Sequence, residues 1–182
     1  MSIIERSSPP ILTEKHYEES SAFVPANLLR EARRQKGLAD CPVPAVCVLD
    51  PDGDIVRQAK ASGRAIRDPD WACYHTDLYR LTYEGTELRI VPCAVGASFA
   101  VLVAEQLFAS GCHLLISMTS SGQLVDSRPP PYFVLIERAL RDEGTSYHYL
   151  PPSEVSEGPA QLLASLAGVF DGLGVAVMRG AT

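Results

Sequence analysis

The stretch GTELRIVPCAVGASFAVLVAEQLFASGCHLLISM (85–118) determines the fold class of this chain. Its first part, TELRIVPCA, is rich in apolar residues and lies between turn signals, which predicts a strand. GASFAVLVAEQLFASG (96–111) is apolar on almost every face and ends at a glycine, which predicts a buried helix. CHLLISM (112–118) predicts a second strand. A strand, a helix and a strand in immediate succession indicate an α/β fold.

The segments on either side of this stretch extend the same pattern. VPAVCVL (43–49) is a short apolar run that meets a turn-rich segment, as a buried strand does. DLYRLTYEG predicts a strand that is joined to the quoted stretch by a hairpin turn at Glu84-Gly85. The remaining predictions are a short helix in VPANLLREARRQKGL (24–38), a strand in PYFVLIERAL (131–140), a helix in PAQLLASLAGVFDGLG (159–174) and a strand in VAVMRG (175–180).

The order of these elements predicts the architecture. Strands that alternate with helices favour a three-layer α/β fold, in which a mixed, largely parallel sheet is flanked by helices. Residues 1–22 are polar and interrupted by prolines, so we expect a flexible N-terminal arm there. The length of the chain is within the range of one domain, and we expect residues 23–182 to form a single α/β domain.

The composition excludes several functional classes. With 46% hydrophobic residues, 21% charged residues and a net charge of −6, the chain gives no reason to expect nucleic acid or an anionic membrane as a partner. No signal peptide is recognisable, and no apolar run reaches the roughly 20 residues of a membrane span. Five scattered cysteines without CxxC spacing and four histidines without an HExxH pattern predict reduced thiols, no metal site and a cytoplasmic protein.

The segment LDPDGDIVRQ (49–58) is the first candidate site, because three aspartates alternate in it. A calcium loop needs glycine at its sixth position and glutamate at its twelfth. Counted from the first aspartate, these positions hold Ile55 and Ala61, so a calcium loop is excluded. Two interpretations stay open. The segment is a solvated surface turn, or it grips an anion through the close backbone approach that Gly53 allows and the forked guanidinium of Arg57.

Two further loops follow predicted strands. CAVGAS (93–98) places the small residue Gly96 directly before the buried helix, where free backbone N–H groups favour an anion. SMTSSGQL (117–124) places hydroxyl groups and a glycine at a strand end, where they could bind phosphate or sugar oxygens. Either loop could also be a plain turn. Ligands of open α/β sheets bind beyond the carboxyl ends of the strands, which is where all three loops are expected.

The order and context of these loops resemble the nucleoside phosphorylases, nearest the uridine phosphorylase branch, with the nucleosidases as cousins. AVCVLDPDGDIVRQA (45–59) looks like the opening strand of that family and its glycine–aspartate–x–x–arginine phosphate loop. GTELRIVPCAVGASFAVLVAEQLFASGCHLLISMTSSGQL (85–124) looks like the strand, glycine-rich turn, helix and strand that follow in it. ALRDEGTSYHYLPPSE (139–154) resembles the segment after the next strand. The similarity runs from about residue 43 to the end.

The resemblance implies an activity and a set of site residues. It implies reversible phosphorolysis of a pyrimidine or purine nucleoside to free base and ribose 1-phosphate, with inorganic phosphate as co-substrate and no cofactor. It also implies a homo-oligomer, either a dimer or a hexamer. The implied phosphate-binding residues are Gly53, Asp54, Arg57 and Ser120. The implied nucleoside-binding residues are Gly96, Ser121, Gly122 and His75, the last of these across a subunit interface.

Two departures from the family pattern bear on catalysis. In the family, the strand at 112–118 carries an arginine that holds phosphate, and Ser117 takes that position here. The nucleosidase cousins, which use water instead of phosphate, also lack this arginine. Family chains continue past a strand like VAVMRG into an acidic loop and a ribose-binding glutamate, whereas no carboxylate follows Asp171 here. We therefore expect a chain shortened at its C-terminus.

The shortening leaves the catalytic residues unassigned. Asp142 and Glu143 could replace the missing acid, or they could lie on a solvated loop. Besides phosphorolysis, two alternatives stay open: a phosphate-independent nucleosidase, and a non-catalytic member that binds a nucleoside or an anion or serves as an assembly partner. General acid catalysis is typically worth about 10²–10⁴-fold in rate, so a chain without the acid would be a poor catalyst alone.

Overall fold

The computed structural model describes residues 8–126 and 128–182. Contacts between residues divide the chain into two compact units. We call Ser20–Ser121 the N-terminal unit, and Gly122–Thr182 together with the described residues up to Glu19 the C-terminal unit. The flexible arm over 1–22 and the single domain over 23–182 stay predictions. Within the described residues, no helix is long and apolar enough to cross a membrane.

The elements of the N-terminal unit are α1 Pro25–Lys36, β1 Val46–Asp50, α2 Asp54–Ala61, β2 Ala65–Arg67, β3 Tyr79–Tyr83, β4 Thr86–Pro92, α3 Ala97–Ala109 and β5 Leu114–Ser117. Its strands form a five-stranded mixed sheet in the order β2-β3-β4-β1-β5. Strand β1 lies between β4 and β5 and pairs in parallel with both, while β2–β3 and β3–β4 are antiparallel. The hairpin predicted at Glu84-Gly85 is confirmed, because Tyr83 pairs with Thr86 across it.

Helices cover both faces of this sheet, as the alternation of side chains along its strands requires. Leu49 of β1 and Val91 of β4 pack in one cluster with Leu107 of α3. The residues that precede them in their strands face the other way, and Ile90 packs with Val56 of α2. The sheet of the N-terminal unit therefore lies between two helical layers, as predicted for an α/β fold.

The regular elements of the C-terminal unit are β6 Tyr132–Leu140, β7 Val155–Glu157, α4 Ala160–Ser165 and β8 Ala176–Ala181, with single 3-10 turns at Pro10–Leu12 and Ser146–His148. The three strands form a sheet in the order β7-β6-β8, with β6 parallel to β8 and antiparallel to β7.

The predicted helix over 159–174 is wrong in length, since α4 ends at Ser165. Gly168 and Gly172 have φ values of 76° and 78°, which an α-helix cannot contain. The apolar spacing of the segment predicted the longer helix, but the left-handed conformation of Gly168 and of Gly172 prevents a helix from running through 166–174.

Candidate functional site

Three loops converge at one edge of the five-stranded sheet. Strand β1 is parallel to β4 and to β5, so the carboxyl ends of all three strands point the same way. The loops that leave these ends are 51–53, 93–96 and 118–121, which are the three loops that the sequence singled out. This edge is where ligands bind in open α/β sheets.

The loop after β1 is fixed by the buried carboxylate of Asp50. Its two oxygens accept hydrogen bonds from the backbone N–H groups of Gly53, at 3.1 Å, and of Val56, at 2.9 Å. Two free donors at the start of α2 are thereby satisfied, and the negative charge lies at the positive end of the helix. The backbone N–H of Gly53, a residue predicted to contact an anion, thus already donates a hydrogen bond inside the protein.

Gly53 brings the loop after β1 against the loop after β4. It adopts a left-handed conformation with φ of 74°, and a Cβ atom there would lie 2.8 Å from the Sγ atom of Cys93. The backbone N–H of Cys93 also donates to the carbonyl of Asp50 at 2.9 Å. Only glycine fits this position without displacing the sulfur. The predicted close approach at Gly53 is therefore made by the protein's own neighbouring loop.

Asp54 and Arg57 lie on a helix rather than on a loop, because α2 begins at Asp54. Their side chains form an ion pair with each other across one helical turn. Both are largely exposed, at 71% and 73%. Arg57 has no hydrogen bond or ion pair to Ser120 in the described part of the chain. Phosphate binding by these residues stays a prediction.

The loop after β5 is joined to the loop after β1 by Asp52. One carboxylate oxygen accepts a hydrogen bond from the hydroxyl of Thr119 at 3.1 Å, and the other accepts one from the backbone N–H of Ser120. The Ser120 bond is the main cause that lowers the pKa of Asp52 below its usual range. The resemblance assigned Ser120 to phosphate binding, whereas in the structure the backbone N–H of Ser120 donates to the carboxylate of Asp52.

The role of Asp52 was not predicted from the sequence, although the alternating aspartates were its signal. That spacing gives each carboxylate a separate partner: Asp50 caps α2, Asp52 reaches the loop after β5, and Asp54 pairs with Arg57. The described residues contain no group of three or more potential ligands that could hold a metal ion.

His75 and Gly96 both lie at the start of α3. Gly96 precedes the helix, and the ring of His75 packs edge-on against Phe99 in the first helical turn, with centroids 6.4 Å apart. An open cavity of about 290 Å³ lies beside His75, and Tyr74 and Lys36 also line it.

The four predicted nucleoside-binding residues do not all belong to one unit. Ser121 is exposed at the end of the N-terminal unit, and Gly122 begins the C-terminal unit.

The carboxylates considered as replacements for the missing acid lie in the C-terminal unit. Glu143 accepts hydrogen bonds from the backbone N–H groups of Ser146 and Thr145. Hydrogen bonding from the side chain of Ser146, followed by these backbone N–H groups, lowers the pKa of its carboxyl. An ionised carboxylate cannot donate a proton to a leaving base. Asp142 is exposed. The geometry of Glu143 therefore matches a structural role in its own turn.

The comparisons with known proteins agree with this fold. Residues 45–182 match the family model described as the Phosphorylase superfamily. Among curated proteins, none matches the sequence at a significant level. The uridine phosphorylase of Vibrio fischeri has a similar structure, with a TM-score of 0.61 and 19% identity over 81% of this chain and 59% of that chain.

Other similar structures belong to proteins with different activities. A purine nucleoside phosphorylase from Toxoplasma gondii, solved with immucillin-H, has a TM-score of 0.61 and 14% identity over 78% of this chain and 56% of that chain. The futalosine hydrolase of Helicobacter pylori, a mutant, has a TM-score of 0.56 and 14% identity over 75% and 66%. At these identities the likeness shows the fold alone.

The share of each chain that is matched determines what can be concluded from the match. The chain spans 59% and 56% of the length of the two phosphorylases. The family match, in contrast, takes in most of this chain, including all three loops at the sheet edge. The resemblance inferred from the sequence is confirmed: the chain belongs to the phosphorylase superfamily, and its fold is that of the nucleoside phosphorylases.

Proposed function

We propose that this protein performs the reversible phosphorolysis of a pyrimidine or purine nucleoside, with inorganic phosphate as its co-substrate. The observation that supports this proposal is the meeting of the three loops at the carboxyl edge of β1, β4 and β5. The loops present hydroxyl and backbone N–H groups at that edge, in a chain whose family match covers all of them.

The chemistry assigns a task to each loop. A phosphate oxygen forms a bond to C1′ of the ribose as the bond from C1′ to the base nitrogen breaks, and the electron pair of that bond leaves with the base. Positive charge develops on the sugar, and a phosphate held beside it stabilises that charge. Gly53, Arg57 and Ser120 would hold the phosphate. Gly96 and His75 would contact the nucleoside from the start of α3.

A phosphate-independent nucleosidase is the second candidate. Two observations favour it. Ser117 ends strand β5, where the phosphorylases carry a phosphate-binding arginine, and the carboxylate of Asp52 already occupies the N–H group of Ser120. Water is neutral and is not repelled by a carboxylate, whereas phosphate is.

A panel of nucleosides, incubated with the protein in the presence and absence of phosphate, tests both candidates. Phosphate-dependent release of free base supports phosphorolysis, and release without phosphate supports the nucleosidase. Binding of a nucleoside without release of base, measured as thermal stabilisation, would contradict both and support the non-catalytic member that the sequence left open.

We expect Arg57→Ala to abolish binding of phosphate or sulfate while the fold stays intact. Arg57 is exposed and its ion pair with Asp54 contributes at most about 1 kcal/mol to stability, so the substitution leaves the core unchanged. Isothermal titration with phosphate measures the effect. Arg64→Ala is the matched control, because Arg64 is an exposed arginine just beyond the same helix. Binding that survives unchanged in Arg57→Ala would show that the segment is a surface turn.

We also propose a cytoplasmic homo-oligomer, a dimer or a hexamer. Strand β6 leaves several large apolar side chains exposed, among them Phe133, Ile136 and Leu140 at 48–53%. Exposed apolar surface of this kind is commonly covered by association. Sedimentation at micromolar concentration checks the proposal, and a strictly monomeric species would contradict it.

A further inference from the structure

Asp52 is the one aspartate of the alternating three whose partners lie on a different loop. Its carboxylate accepts hydrogen bonds from the Thr119 hydroxyl and from the Ser120 backbone N–H, which follow β5. These are two donors of the kind that a bound phosphate uses. A carboxylate oxygen and a phosphate oxygen cannot both occupy the same N–H group.

We infer that Asp52 is a specificity-determining residue, which occupies the anion-binding donors of the loop after β5 and makes phosphate compete with a carboxylate of the protein itself. This inference rests on the proposed function, since it concerns the same site. Phosphate enters when the Asp52 side chain leaves Ser120 and Thr119. A neutral co-substrate does not have to displace it.

The charges around Asp52 strengthen the competition. Asp50 is buried two residues earlier, with both of its carboxylate oxygens bound to N–H groups at the start of α2. Arg57, the cation predicted to attract phosphate, is paired with Asp54. An incoming phosphate is therefore repelled by the negative charge of Asp52, because like charges repel. The cation that would attract the phosphate, Arg57, is already paired with a carboxylate.

A purely structural role would make a different prediction. In that case Asp52 would only tie two loops together, and its charge would not matter. Asp52→Asn distinguishes the two roles, because asparagine has nearly the same shape and keeps an oxygen that accepts a hydrogen bond from Ser120, but it carries no charge. Asp52→Ala removes both the charge and the hydrogen bonds.

The test is isothermal titration of the full chain with inorganic phosphate, for the wild type, Asp52→Asn and Asp52→Ala. We expect Asp52→Asn to bind phosphate about 10- to 100-fold more tightly than the wild type, the range of a hydrogen bond that involves a charged group. Asp40→Asn is the matched control, since it removes an exposed carboxylate beyond α1 and changes the net charge equally. Its affinity should stay within about twofold of the wild type.

Equal phosphate affinity in the wild type and Asp52→Asn would overturn the inference, and so would an absence of binding in both. A gain in Asp52→Ala without one in Asp52→Asn would also overturn it, because the hydrogen bonds and not the charge would then be responsible. Failure of the proposed function is distinct from these outcomes. It appears as tighter phosphate binding by Asp52→Asn without phosphate-dependent release of base from any nucleoside.

Discussion

Replacing Asp68 with alanine is expected to destabilise the N-terminal unit by about 3–5 kcal/mol, the usual effect of removing one partner of a buried ion pair. The carboxylate of Asp68 is 4% exposed and accepts hydrogen bonds from Arg80, at 2.8 Å, and from Arg89, at 2.9 Å. The side chain of Arg89 is itself only 8% exposed, so the substitution leaves a buried guanidinium with the exposed carboxylate of Glu87 as its remaining ion-pair partner in the described residues. Urea denaturation measures the loss, and the single tryptophan, Trp71, reports it by fluorescence.

The control for this result is Asp77→Ala, which removes a more exposed carboxylate that lines the same cavity as Asp68. Asp77 pairs with Arg67 at 2.8 Å, but both side chains are about half exposed, so the pair is worth at most about 1 kcal/mol. Equal losses in the two variants would show that burial does not set the strength of the Asp68 network.

The pH dependence of stability follows from the same carboxylate. Burial alone would raise the pKa of Asp68, but hydrogen bonds from Arg80, from the backbone N–H of Asp70 and from Arg89 outweigh it, so the pKa is lowered. Because the pKa is lower in the folded state, the unfolded chain takes up the proton at a higher pH than the folded protein does as the pH falls. The stabilisation by Asp68 is therefore complete above the unfolded pKa, near 3.9, and is lost as the pH falls through the folded value.

Gly53→Ala is expected to destabilise the N-terminal unit by about 2–5 kcal/mol. The left-handed backbone of this residue costs an L side chain about 1–2 kcal/mol. The new Cβ would also lie 2.8 Å from the sulfur of Cys93, and overpacking of this kind costs about 1–3 kcal/mol more. Chemical denaturation measures the total.

Gly63→Ala separates the two costs, because Gly63 has φ of 70° and a Cβ there would have no atom within 4 Å. It should lose only the backbone cost of about 1–2 kcal/mol. Cys93→Ala, combined with Gly53→Ala, should restore the part due to the close approach, because it removes the Sγ atom and leaves the backbone cost at residue 93 unchanged. If Gly53→Ala costs no more than Gly63→Ala, the contact between the two loops is not tight.

Much of the fold could be predicted from apolar periodicity. The long apolar run at 96–111 became α3, and the short apolar runs around it became β1, β4 and β5, because burial dictates both patterns. Helix α2 was missed. Its first residues belong to a segment rich in aspartate and glycine, which is typical of a turn, and its cap comes from Asp50, which lies before the turn. Strand β7 was missed because it has only three residues.

The candidate site could be located from the sequence but not described in detail. The rule that ligands bind at the carboxyl ends of parallel strands placed the three loops at one edge. Which side chain meets which donor depends on contacts between residues that are far apart in sequence, such as Asp52 and Ser120, 68 positions apart. A pattern along the chain holds no information about such a pair. The ion pair between Arg57 and Asp54 could not be predicted either, because it forms only when both residues lie on one helix, and helix α2 was not predicted.

The alternation of the three aspartates after β1 makes this segment sensitive to its length. Asp50, Asp52 and Asp54 point to three different partners only because they stand two residues apart. Inserting or deleting one residue within 51–53 would move Asp54, and with it the whole start of α2, relative to Asp50, and the loop after β5 would lose its acceptor in the same event. A change of side chain in this segment removes one contact, whereas a change of length removes several together.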